Sequence, residues 1–138
     1  MGDTYRLEYE NATLDTLDEV IAFLEEKLEL HDCPMKIGVQ LCVAMEEMYV
    51  NIVHYAYAPE TGKASVIMEM DNTGIKITLI DQGVPFDPLA KPDPDITLSA
   101  EERQIGGLGI YMVKKSMDEV SYKRDGDSNI FTMVKKWG

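Results

Sequence analysis

Two apolar repeats of helical period stand back to back in this chain, ahead of any long strand. Leu14, Leu17, Ile21, Leu24 and Leu28 recur at spacings of three and four, with Asp and Glu between them. Thr16 with Glu19 can form a capping box for this helix, and Thr13 is an equally good start. The helix is expected to end before Pro34, a residue that suits the first turn of the next one. There Ile37, Leu41, Ala44, Met48, Ile52 and Tyr55 carry the same spacing to Tyr57, and Pro59 and Gly62 close the turn after it. The period then changes to two. Val66, Met68 and Met70 share one face of 63–71, and Ile75, Ile77 and Leu79 one face of 75–80. Between them, Asp71-Asn72-Thr73-Gly74 has hairpin chemistry.

The ends fit the same plan. Tyr5, Leu7 and Tyr9 alternate with Arg6 and Glu8, which predicts a short strand at a sheet edge. Gly106-Gly107-Leu108-Gly109 opens a helix to about Met117, followed by strands over 120–123 and 129–136 with Asp125-Gly126-Asp127 turning between them. From Val84 to Ile105 the regular pattern stops, and four of the six prolines fall there: Pro85, Pro88, Pro92 and Pro94. A stretch of that length in a small domain is commonly a lid or binding loop. The order β-α-α-β-β-lid-α-β-β predicts an α+β fold. It is a two-layer α/β sandwich with a mixed, mostly antiparallel sheet and helices on one face.

At 138 residues the chain is expected to be one domain, 1–138, able to bury a core without staples. Hydrophobic residues make up 45% and charged residues 28%, as in a soluble globule and not a disordered chain. Thirteen Lys+Arg against twenty-five Asp+Glu leave a net charge of −12, which argues against nucleic acid and anionic membranes as partners. A nucleotide is not excluded, since a small site with its own Mg²⁺ outvotes the global field. Cys33 and Cys42 are too few for a disulfide framework and read as buried thiols. No run approaches ~18 apolar residues, and the start MGDTYRLEYE does not read as a signal peptide. The default setting is cytoplasmic. The nine methionines read as packing. His31 and His54 stand at no zinc spacing with the cysteines.

Three constellations carry candidate chemistry, each with a plainer alternative. On the second helix, Glu47, Asn51 and His54 fall within about 60° of one another, with Glu46 about 100° away on the more solvated side. A carboxylate and a carboxamide at i, i+4 beside a core can offer a base and an oxygen ligand for Mg²⁺. The alternative is a solvated helix face. Next, Asp81-Gln82-Gly83-Val84-Pro85-Phe86-Asp87-Pro88 ends an apolar strand with an acid. That acid can accept from an exocyclic amine such as adenine's, while Gly83 leaves room for a flat ring. The alternative is an ordinary turn. Third, the free N–H groups of Gly106-Gly107-Leu108-Gly109 at a helix start suit phosphate. The alternative is tight packing, for this is neither a Walker loop nor a dinucleotide fingerprint.

Together and in this order, the three resemble the motifs of the GHKL (Bergerat-fold) ATPase superfamily. Glu47-Met-Tyr-Val-Asn51-Ile-Val-His54-Tyr-Ala-Tyr57 resembles its N-box. Asp81-Gln-Gly83-Val-Pro-Phe86-Asp87-Pro88 resembles its first glycine box, and Gly107-Leu108-Gly109 its second. The HxAY ending, the PFDP run and GGLGIYMVKKSMDEV are most similar to the small anti-sigma factor serine/threonine-protein kinases. The resemblance implies ATP and Mg²⁺ as cofactors. It implies Glu47 as general base and Asn51 as the Mg²⁺ ligand. Asp81 would read adenine N6, with Gly83 beneath the ring and Phe86 beside it. Gly106, Gly107, Leu108 and Gly109 would meet the phosphates, and Arg103, in the lid at 84–105, would reach the terminal phosphate. The implied function is a kinase that binds a sigma factor and phosphorylates an anti-anti-sigma (STAS) protein, acting as a homodimer. The alternative is a catalytically silent ATP-binding module that works by sequestering a partner.

Overall fold

The computed structural model describes residues 2–56, 62–89 and 107–137. Their elements are β1 (Asp3–Tyr9), α1 (Leu14–Leu30), α2 (Met35–Asn51), a π turn (Ile52–Ala56), β2 (Ala64–Asp71), β3 (Gly74–Asp81), α3 (Gly107–Ser116), β4 (Glu119–Asp125) and β5 (Ser128–Lys136). The strands form one sheet in the order β1-β2-β3-β5-β4. Each neighbouring pair among them is antiparallel, which takes the expected mostly antiparallel sheet to its limit among the described residues. Two-residue loops fix this direction for β2–β3 and β4–β5. Asp71 pairs with Gly74 and Asp125 with Ser128, leaving no length for a crossover. In the second loop Gly126 takes φ +59°, the conformation that a primed hairpin turn needs at its first position.

The core lies between the inward sheet face and α1 and α2. Val66, Met68, Met70, Ile75, Ile77, Leu79, Phe131 and Met133 meet Leu17, Val20, Leu24, Leu28, Leu41, Ala44, Met45, Met48 and Tyr49. The helical stripe of α1 is therefore 17-20-24-28. Leu14 is 50% exposed and stands outside it, because it occupies the first helical position, before the helix settles onto the sheet. Thr13 is the N-cap, and its partner in the capping box is Thr16, not Glu19. Thr16 N donates to Thr13 Oγ1 at 3.2 Å and Thr13 N to Thr16 Oγ1 at 2.9 Å.

The end of α1 is set two residues before Pro34. Asp32 adopts φ +58°, its N–H donates to the Glu29 carbonyl, and the Cys33 N–H donates to the Leu28 carbonyl. That is the left-handed Schellman closure, here with Asp at the position glycine usually fills. The α-helical part of α2 stops at Asn51, and the backbone goes on as the π turn. Tyr57, the expected helix end, lies outside the described residues. Two methionines depart from the packing expectation: Met35 is 86% exposed and Met112 52% exposed, both on outward helix positions. Cys33 and Cys42 are free and half-buried, not fully buried. Burial pushes the Cys42 thiol up to about 11, with the Glu25 carboxylate and Cys33 adding to the effect.

Candidate functional site

The strand β3 ends on Asp81, which points to the core side because the inward residues of this strand are the odd-numbered ones. Asp81 is 7% exposed. Its Oδ1 accepts from the backbone N–H of Gly83 at 2.9 Å and from Asn129 Nδ2 at 2.9 Å. Burial raises its carboxyl above the ordinary value of 3.8. The hydrogen bonds from Asn129 and Gly83 and the charge of Arg124 pull the other way without overcoming it. Among the described residues, both hydrogen bonds fall on Oδ1, so Oδ2 remains as an acceptor.

A pocket of about 390 Å³, open mouth included, forms over this carboxylate. Most of that figure is open solvent: the enclosed space is about 30 Å³, near the size of one water, so the cleft is a shallow opening at the carboxylate. Asp81, Asn51 and Phe86 line it together, with Met48, Ile52, Leu79 and Phe131 as apolar walls. Thus α2 and the end of β3 meet at one cleft. Asn51 Nδ2 donates to the Glu47 carbonyl at 2.9 Å. This leaves its Oδ1, the atom a hard cation takes, without a partner among the described residues.

Glu47 is half-buried and Glu46 exposed, as the helical geometry of α2 requires. The Glu47 carboxylate lies against Gly109 in the first turn of α3. A Cβ built on Gly109 would overlap Oε2 and stand 2.5 Å from Cδ. Glycine is therefore what lets the Glu47 carboxylate lie against the first turn of α3. Gly107 and Leu108 occupy the start of α3, where backbone N–H groups have no intrahelical acceptor. Gly106 and Arg103 lie outside the described residues. His54 is exposed in the middle of the π turn, and the pocket lining does not include it.

Three residues absent from the sequence reading build this site. Asn129 on β5 stands directly opposite Asp81 in the strand register. Tyr122 on β4 donates its hydroxyl to Asn129 Oδ1 at 2.5 Å, and both line the pocket. Arg124 Nη1 donates to the Gly83 carbonyl at 2.8 Å. One signal was available in the chain. Asn129 is a polar residue in the apolar phase of its strand, two before Phe131 and four before Met133.

The residues present fit ATP and Mg²⁺. A buried acceptor sits between apolar walls, a carboxamide oxygen lies nearby, and a glycine-lined helix start follows. Among the described residues, no three His, Cys, Asp or Glu gather as a metal cage. Mg²⁺ bound mainly through phosphate oxygens and water needs no such cage.

The sequence profile of the histidine kinase-like ATPase domain family matches residues 11–135. The chain belongs to this family. As an ATPase-type domain it is similar to the serine-protein kinase RsbW of Bacillus cereus (strain AH820). The identity is 30% over 87 residues, which make up 60% of this chain and 54% of that protein. RsbW of Bacillus anthracis (strain A0248) matches to the same extent. The matched part spans about half the length of these curated relatives. Two solved structures share the fold. The RsbU and RsbW domains of Rv1364c from Mycobacterium tuberculosis give a TM-score of 0.62 at 16% identity, covering 95% of this chain and 32% of that one. The SiaB-SiaC complex from Pseudomonas aeruginosa gives 0.61 at 16% identity, covering 95% and 89%.

Proposed function

We propose that this histidine kinase-like ATPase domain is an ATP-dependent serine/threonine protein kinase and anti-sigma factor. It would bind a sigma factor and phosphorylate an anti-anti-sigma protein of the STAS type. The observation that carries the reading is the buried Asp81 in a cleft that also holds Asn51, one turn from Glu47 at the glycine start of α3. The names of the matched relatives, serine-protein kinases, point the same way.

In this reading Asp81 accepts from the exocyclic amine of adenine, and Met48, Ile52, Phe86 and Phe131 exclude water from the ring. Gly83 keeps the floor clear. The N–H groups of Gly107, Leu108 and Gly109 donate to phosphate oxygens, joined by Gly106 just before the helix. Asn51 offers its Oδ1 to Mg²⁺. When bound, Mg·ATP supplies the transferable phosphoryl group and the charge that offsets its oxygens. Glu47 takes the proton from the substrate hydroxyl, and Arg103, in the lid assigned to 84–105, neutralises charge at the terminal phosphate. The same proposal takes residues 1–138 as one domain that works as a homodimer in a cytoplasmic setting. There, phosphorylating one partner would change which partner is held.

The test is incubation of the chain with labelled ATP and a STAS protein encoded beside it. Label should appear on the STAS protein. The variant Glu47→Gln should keep nucleotide affinity and lose transfer by at least ~100-fold. Transfer at the wild-type rate by that variant removes Glu47 as the base. ATP binding with no transfer by the wild type replaces the kinase with the silent, sequestering module.

A further inference from the structure

Asn129, which the sequence reading did not single out, makes four side-chain hydrogen bonds beside the pocket. Its side chain is 6% exposed and uses its full hydrogen-bonding capacity, two N–H donors and two lone pairs. Nδ2 donates to Asp81 Oδ1 at 2.9 Å and to the Val84 carbonyl at 2.8 Å. Oδ1 accepts from the Tyr122 hydroxyl at 2.5 Å and from the Phe86 N–H at 3.4 Å. The orientation of the amide is fixed by these partners. One side meets a carboxylate and a carbonyl, which need donors; the other meets a hydroxyl and an N–H.

We propose that Asn129 is the positioning residue of this site, holding Asp81 as an ionised acceptor and tying it to the backbone at Val84 and Phe86. The proposal rests on the nucleotide reading of the pocket and adds the residue that positions its acceptor. Asp81 needs its charge to accept strongly from a base amine, yet it is buried among apolar walls. Asn129 and the Gly83 N–H are the two donors on Oδ1. Among the described residues, the charged group facing the carboxylate is Arg124 on β4. The other residues packed round it, Tyr122 on β4, Met48, Asn51 and Ile52 on α2, and Ala64 opposite on β2, bring no charge at neutral pH. Removing the Asn129 donor therefore leaves burial less opposed. The same side chain holds the first residues after β3 through their main chain, so the state of the carboxylate and the path of that backbone are set together.

The test uses the full chain without nucleotide, then with ATP. The Asp81 carboxyl is titrated by carbon NMR, and exchange of the Phe86 amide is followed, in the wild type and in Asn129→Ala, Asn129→Asp and Tyr122→Phe. Asn129→Ala should move the Asp81 titration to higher pH and speed Phe86 exchange roughly 10-fold. Its affinity for ATP should fall roughly 10-fold, the scale of one lost hydrogen bond to a charged group, and fall faster toward acid. Asn129→Asp keeps the shape but sets a carboxylate against a carboxylate, so its upward shift should exceed that of alanine. Tyr122→Phe should give a smaller change in the same direction. If the shape-keeping Asp variant titrates like the wild type, Asn129 only fills space and the proposal is overturned. If the Asp81 shift appears while the wild type binds no ATP, the nucleotide reading falls and the hold of Asn129 on the carboxylate stands.

Discussion

Burial holds the Asp81 carboxyl above its ordinary value of 3.8, so the folded chain takes up a proton there more readily than the unfolded chain. The contribution of this group to stability is full below 3.8 and is lost as pH rises through the raised folded value. At neutral pH the charge is a cost to the fold. Asp81→Asn removes the charge and keeps an oxygen for Gly83 and Asn129. Its melting temperature at neutral pH should equal or exceed that of the wild type, the difference closing in acid, while calorimetry should find ATP binding abolished. Undiminished affinity would remove the adenine assignment. Gly109→Ala separates the same two quantities at the other end of the cleft. Alanine favours the helix by up to about 1 kcal/mol, and the atoms it meets are the mobile end of Glu47. The variant should therefore melt no lower than the wild type, yet lose transfer because the carboxylate is pushed off its place. Asp81 was legible in the sequence because an acid ending an apolar strand before glycine is a local pattern. Asn129 was not, because its partner lies 48 residues away and only the register brings them together.

At the scale of elements, the two long helices were written in their apolar periods, and both hairpins in their turn residues. What periodicity did not show was where each helix begins and ends. That depends on single hydrogen bonds, such as the exchange between Thr13 and Thr16, and on the left-handed Asp32. The π turn after Asn51 was equally hidden, since it is a backbone choice with no residue pattern of its own. Such turns recur at functional sites, and this one follows directly on the Mg²⁺ ligand proposed above. The cap gives a clean measurement. Thr13→Ala should cost about 1 kcal/mol in urea unfolding and leave ATP affinity unchanged, because α1 lines no part of the pocket. A loss of affinity in that variant would mean that α1 communicates with the cleft, through the 2.7 Å contact of Thr16 with the Tyr49 hydroxyl on α2.

Over the whole molecule, a net charge of −12 sets the chain against itself and against a polyanionic ligand. In the proposed function, binding ATP would then rest on Mg²⁺ and on the local donors at the start of α3. Mg·ATP at 100 times its dissociation constant should stabilise the chain by about 2.7 kcal/mol. ATP with a chelator should give much less, and an equal thermal shift with and without Mg²⁺ would count against Asn51 as a ligand. The sheet adds a consequence in time. Beside the edge strand β1, it consists of two tight hairpins, β2–β3 and β4–β5, zipped along β3 and β5, and the rung at one end of that zip is Asp81 with Asn129. A chain still emerging from the ribosome carries the acid long before it carries the amide that steadies it. On the proposed function, nucleotide capture would wait for the last strand, and a bound purine would certify a finished sheet.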